Sequence, residues 1–164
     1  MAALCQTGEV GPQDLTTETP MTTATTSTTT TQAPKECPDA WTQFEESCYW
    51  MAIDESINWV EARERCTELN SEAHLVFVKS QEENSFLYNI NGNSGSMWLG
   101  GSDSHEEGNW TWNDGTPFTY KNWYNQPDGG QSENCLYAHT SYNFAWFDNG
   151  CATHLPFICE IDLA

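Results

Sequence analysis

Six cysteines between positions 37 and 159 constrain this chain more than any other feature. They are Cys37, Cys48, Cys66, Cys135, Cys151 and Cys159, and none is spaced as Cys-x-x-Cys. The pattern speaks against a zinc ribbon or a redox motif. In so small a chain it indicates a bridged domain from an oxidising, extracellular setting. Six thiols suit three bridges, but spacing alone does not choose among the possible pairings. A seventh, Cys5, stands apart near the start.

Charge narrows the partners. Five basic residues face 24 acidic ones, for a formal net charge of −19. Nucleic acid needs a basic footprint to displace counterions, and an anionic membrane surface needs the same attraction, so both are excluded as partners. No apolar run is long enough to span a bilayer, so no membrane insertion is expected. Met1–Cys5 is too short for the apolar core of a leader and carries no basic residue. The chain therefore reads as a mature secreted, extracellular protein.

Residues 1–36 have the composition of a stalk. From Thr16 to Thr31, 11 of 16 residues are threonine. Such a stretch buries too little apolar surface to offset the entropy of ordering. It is expected to be disordered, extended and O-glycosylated. The domain is expected to run from 37 to 164.

Within that domain the helical signals come first. The segment Cys37–Trp50 reads as an aromatic hairpin. Trp59, Ala62, Cys66 and Leu69 recur at helical spacing, with Ser56 available as a cap. His74–Val78 reads as a buried strand. Ser80 and Glu83 have capping-box spacing ahead of Phe86, Leu87 and Ile90, hence a second helix. Met97–Gly101 is a strand ending at glycines, and Gly108–Gly115 a strand and turn. Helices first and a loop-rich β half afterwards indicate an α+β fold. Asn109-Trp110-Thr111 is an N-glycosylation acceptor pattern.

The chemistry concentrates in one loop. Gln126-Pro127-Asp128 precedes Gly129-Gly130-Gln131-Ser132, and then Glu133-Asn134-Cys135. Amide and carboxylate oxygens around a proline are hard ligands, suited to calcium and a polyol rather than to covalent chemistry. The four histidines, His74, His105, His139 and His154, form no HExxH, and there is no nucleophile elbow or phosphate loop. An enzyme is not expected.

The motifs Cys37–Trp50, Met97–Gly101, Trp110–Gly115, Gln126-Pro127-Asp128, Glu133-Asn134-Cys135 and Phe157–Glu160 occur in one order. In that order they resemble a C-type lectin-like domain of the long form. The resemblance covers the whole chain beyond the stalk. It implies a double-loop α+β fold with two helices, antiparallel strands and a long calcium and sugar loop. It also implies the bridges Cys37–Cys48, Cys66–Cys159 and Cys135–Cys151. A primary calcium site would take Gln126, Asp128, Glu133 and Asp148. In the family, Trp-Asn-Asp usually stands five residues before the penultimate cysteine. Here Trp146-Phe147-Asp148 stands there, so one side-chain oxygen is missing. Water, a main-chain carbonyl or Asn149 would have to replace it. An auxiliary site would take Asp103, Glu107 and Asn134, sharing Glu133, although Gly129 replaces a common acid.

Gln-Pro-Asp is similar to the family's galactose-type arrangement. The resemblance therefore implies galactose or N-acetylgalactosamine, in glycans or glycoproteins, held by its 3- and 4-hydroxyls on a bound calcium. Gln126, Asp128 and Glu133 would meet the hydroxyl protons and lone pairs. Phe147 and Tyr142, with Tyr124 and Phe144, are candidates for the ring that lies on the sugar's apolar face. The rival expectation is a calcium-independent domain of the same fold that binds a protein through the long loop. Cys5, left without an internal partner, is expected to join two chains as a disulfide-linked homodimer.

Overall fold

The computed structural model describes residues 35–127 and 129–164. Cys5, the threonine-rich segment and Asp128 lie outside the described residues. Eight strands form one sheet in the order β1-β2-β8-β4-β6-β7, with β3 beside β8 and β5 beside β4. Both helices lie ahead of the last five strands, so helical and strand segments are largely segregated along the chain, as in an α+β arrangement.

The chain enters through a hairpin of β1 (Thr42–Phe44) and β2 (Ser47–Ile57), which turns at Glu45 and Glu46. β2 runs antiparallel to β8 (Leu155–Asp162), the strand that links the two ends of the domain. Helix α1 (Trp59–Leu69) follows. Asn58 rather than Ser56 caps it: the Asn58 side chain accepts from the Glu61 amide, and the Glu61 carboxylate accepts from the Asn58 amide. Placing the cap next to the first helical residue satisfies one of the helix's unpaired amides and Asn58's own at once, which Ser56 is too distant to do. Trp59, Ala62 and Cys66 form the buried face of α1, and Leu69 lies at its edge.

The expected strand at His74–Val78 is shorter. Only His74–Leu75 (β3) pairs as a strand, opposite Glu160 and Cys159. Val76–Val78 are buried but leave the ladder. Their amides are met singly, Val76 by the Ile158 carbonyl and Phe77 by the Glu160 carboxylate.

Helix α2 (Gln81–Ile90) starts at Ser80, whose hydroxyl accepts from the Glu83 amide at 3.1 Å. The reciprocal half of the box is altered. Glu83 reaches one residue further back and accepts from the Lys79 amide at 2.6 Å, while the Tyr49 hydroxyl donates to its other oxygen at 2.8 Å. Glu83 is only 5% exposed. Burial pushes its carboxyl up to about 7, and the charge on Glu160 adds to the effect against the opposing bond from Lys79. Glu160 is fully buried and accepts from Ser47, Phe77 and Lys79. The Tyr49 hydroxyl is raised by burial and then by Glu160 and Glu83.

β4 (Ser96–Ser102), β5 (Thr111–Trp112), β6 (Cys135–His139) and β7 (Ala145–Asn149) carry the functional half. Among the described residues their pairings are antiparallel except two: β4 meets β8 in parallel at Trp98 and Phe157, and Trp146 of β7 forms a parallel bridge with Trp123. Trp98, Trp146, Phe144 and Phe157 are fully buried, so the aromatic richness goes largely into the core. The three bridges are Cys37–Cys48, Cys66–Cys159 and Cys135–Cys151. The last ties the start of β6 to the chain just after β7. Asn109 is exposed, and its side-chain amide donates to Glu106 at 3.0 Å.

Candidate functional site

Trp146 anchors the long loop. Its indole N–H donates to Asn84 of α2 at 3.1 Å, and its ring meets Trp112, Phe118, Tyr120 and Trp123 edge-on. Its backbone holds the segment before the Gln-Pro-Asp motif. The Trp146 amide donates to the Asn122 carbonyl at 2.8 Å, and the Tyr124 amide donates to the Trp146 carbonyl at 3.0 Å. A fully buried tryptophan thus fixes residues 122–124 beside β7. Gln126, two residues on, is solvent exposed.

The other side of the loop closes on Gly129. Its amide donates to the Asp148 carboxylate at 3.0 Å. The Glu133 side chain packs so closely on Gly129 that a Cβ there would stand 2.1 Å from its carboxylate oxygen and 2.2 Å from its Cβ. Gly129 is therefore the contact point for two acids 15 positions apart in sequence. Residues Gly130–Ser132 form a single 3₁₀ turn, closed by the Glu133 amide on the Gly130 carbonyl and the Ser132 hydroxyl on the Gly129 carbonyl. The structure thus brings Glu133 and Asp148 together, and Asp128 lies outside the described residues. Asn149 is not spare. Its side-chain oxygen accepts from the Gly150 amide at 2.7 Å and from Thr153 at 3.2 Å.

The auxiliary set is split. Asp103 and Asn134 are neighbours, the Asp103 amide donating to the Asn134 carbonyl at 3.3 Å. Asp103 is buried, and one carboxylate oxygen accepts from the Gly108 amide at 2.9 Å. Its Oδ1 and the Asn134 Oδ1 are buried with no hydrogen-bond partner. Buried acceptors normally find a donor, so two bare oxygens on adjacent residues fit a hard cation. The third such atom, Trp110 Nε1, is a donor and does not. Glu107 is exposed on the loop beyond. Among the described residues, no three His, Cys, Asp or Glu side chains gather into a metal cluster.

A patch of rings adjoins these acids. Phe147 stacks on Tyr124 at 5.2 Å and on Tyr137 at 5.4 Å, and Tyr142 meets Phe147 at 5.4 Å and Tyr124 at 4.7 Å. Tyr124 and Tyr142 are about half exposed, at 53% and 46%. Phe144 is withdrawn from the candidates: it is fully buried, on a left-handed turn (φ 61°) that directs it into the core. Sequence reasoning does not single out Tyr137. It stands directly opposite Phe147 in the β6–β7 register. Its hydroxyl is raised first by burial and then by Asp148 and Glu133, so it lies in the field of the same two acids. The period-two spacing from Cys135 is the signal that points to it.

A Lectin C-type domain matches residues 55–161, and the chain belongs to that family. The family is one of binding domains, not of enzymes. The mouse protein C-type lectin domain family 10 member A is 42% identical over 137 residues, covering 78% of this chain and 42% of its own length. The chain thus spans less than half of that relative. The carbohydrate-recognition domain of the mouse scavenger receptor C-type lectin is similar in structure, with TM-score 0.70 and 33% identity over 78% of this chain and 98% of that one. A calcium-independent type II antifreeze protein is similar too, with TM-score 0.71 and 28% identity over 79% of this chain and 96% of that one. No helix among the described residues is long and apolar enough to cross a membrane.

Proposed function

We propose that this domain is a calcium-dependent lectin that takes terminal galactose or N-acetylgalactosamine. The observation that carries the reading is the closure on Gly129, which joins Glu133 and Asp148 at the residue that follows Gln126-Pro127-Asp128 in sequence. Gln126, Asp128, Glu133 and Asp148 would hold the primary calcium. Asp103 and Asn134 would give their bare oxygens to a second ion, with Glu107 reaching in from the loop.

Calcium, when bound, supplies open coordination positions for a vicinal diol. Around it, carboxylates accept the hydroxyl protons and the Gln126 amide donates to a hydroxyl oxygen. Tyr124, Tyr142 and Phe147 offer the apolar face on which a galactose C–H surface can lie. Phe147 in place of an oxygen ligand makes the primary ion weakly held, on the order of 10⁻⁴–10⁻³ M, a range suited to extracellular calcium.

The chain is read as secreted, with residues 1–36 as its stalk and Cys5 as the link between two copies. Two linked sites raise avidity by roughly 10²–10⁴ when their spacing fits. The second reading, a calcium-independent domain that binds a protein, is favoured by Phe147 and by the half-exposed Tyr124 and Tyr142 beside it.

A glycan array with and without chelator tests the proposal. Galactose-terminated glycans should be retained only with calcium. Gln126→Glu with Asp128→Asn should move preference towards mannose, because it exchanges amide and carboxylate. Galactose binding that persists in excess chelator would refute the calcium mechanism, and no glycan binding in either condition would favour a protein partner.

A further inference from the structure

A cavity of about 480 Å³ opens between α1 and the β4–β5 hairpin and shares no residue with the proposed sugar and calcium ligands. Its size falls in the range of small-molecule sites, roughly 300–1,000 Å³. Its wall is made by the buried Trp59, Trp112 and Cys135 and by the half-buried Cys151 bridged to Cys135. Its exposed rim carries Arg63, Ser104 and Asp114.

Arg63 is the unusual member. The chain has 24 carboxylates and five basic residues. Lys35, Arg65 and Lys79 each hold a carboxylate within ion-pair distance. Arg63 and Lys121 hold none among the described residues, and of these two only Arg63 lines the cavity. Its guanidinium stands 5.7 Å from the Trp59 ring centroid, at the mouth of the cavity. A guanidinium in that position presents a planar fork of donors matched to a carboxylate or sulfonate. Asp114, the acid on the same rim, is turned to its own loop: one oxygen accepts from both the amide and the hydroxyl of Thr116, at 2.8 and 2.7 Å. The net negative charge of the chain repels anions at long range, but salt screens it beyond about 8 Å. Contact with Arg63 falls inside that distance.

We propose that this cavity binds a small anion with a flat apolar body, such as an aromatic carboxylate or sulfonate. Its anionic group would meet Arg63, and its body would lie against Trp59 and Trp112.

Isothermal titration with 2-naphthalenesulfonate, at physiological salt and with calcium present, tests this on the full chain. One saturable site is expected. Arg63→Gln, an exposed helical substitution whose folding is checked by circular dichroism, should weaken it at least tenfold. The neutral analogue 2-naphthalenemethanol should bind the wild type at least tenfold more weakly than the sulfonate. Glu133→Gln should leave the affinity unchanged. No saturable binding, a smaller effect of Arg63→Gln, or equal affinity for the neutral analogue overturns the proposal. Loss of binding in Glu133→Gln also overturns it, because the probe would then sit at the calcium loop.

Discussion

Replacing Glu83 with glutamine should stabilise the domain in neutral and weakly alkaline solution and do nothing in acid. Glu83 is almost wholly buried, and its carboxyl is raised from 4.5 to about 7 by burial and by the neighbouring Glu160 charge. A raised acid holds its proton more tightly folded than unfolded. Its contribution is therefore fully present below the unfolded value, near 4.5, and is lost as pH rises through about 7. The interval corresponds to ~3 kcal/mol. Glutamine copies the protonated acid. Its oxygen can accept from the Lys79 amide, and its NH₂ can donate to the Tyr49 hydroxyl oxygen, so both partners of Glu83 stay bonded. The assay is urea unfolding with the bridges intact, wild type beside Glu83→Gln, at half-unit steps from pH 4.5 to 8.5. Taking the difference cancels the other carboxylates. The variant should gain up to ~3 kcal/mol at pH 8 and converge with the wild type near pH 4.5. A difference that does not vary with pH would refute the reasoning, whatever its sign.

Three further outcomes follow from the loop and from Cys5. Gly129→Ala should displace Glu133, since the new Cβ would stand within 2.5 Å of three of its atoms, and should weaken calcium at least tenfold in a tryptophan-fluorescence titration. Unchanged calcium affinity would remove Glu133 from the site. Phe147→Asn should tighten calcium by restoring an oxygen ligand, while weakening sugar through loss of the stack with Tyr124, Tyr137 and Tyr142. If neither quantity moves, Phe147 does not belong to the site. Wild-type protein should run as a dimer on non-reducing gels and Cys5→Ser as a monomer, and a monomeric wild type would exclude the covalent link.

Much of the fold is legible in the sequence, because its signals are local or covalent. Ser80 and Glu83 mark a helix start, and Met97–Gly101 marks β4, which runs on through its glycines to Ser102. The order of the aromatic, Gln-Pro-Asp and cysteine motifs identifies the family and, through it, the three bridges. Short-range reading failed where two local signals competed. Ser56 and Asn58 both resemble caps, and the capping box with Glu61 chose Asn58. His74–Val78 has the composition of a strand, but only its first two residues find a ladder partner.

What tertiary structure alone decided is the environment of each side chain. Phe144 and Tyr142 are two residues apart, yet one is core and the other half exposed, because a left-handed turn separates their directions. Nothing near Glu83 announces that Tyr49, 34 positions away, will donate to it, or that Ser47 will meet Glu160 across 113. Glu133 and Asp148 carry ligand chemistry in their side chains, but only the closing of the loop on Gly129 sets them side by side. Tyr137 enters their field through strand register. Arg63 meets the cavity beside Trp112 and Asp114 only through the packing of α1 on the sheet. Caps, periodicity and bridges act over a few residues or one bond. Burial, charge and ring contact depend on which distant segments pack together, and the sequence carries no local mark of that.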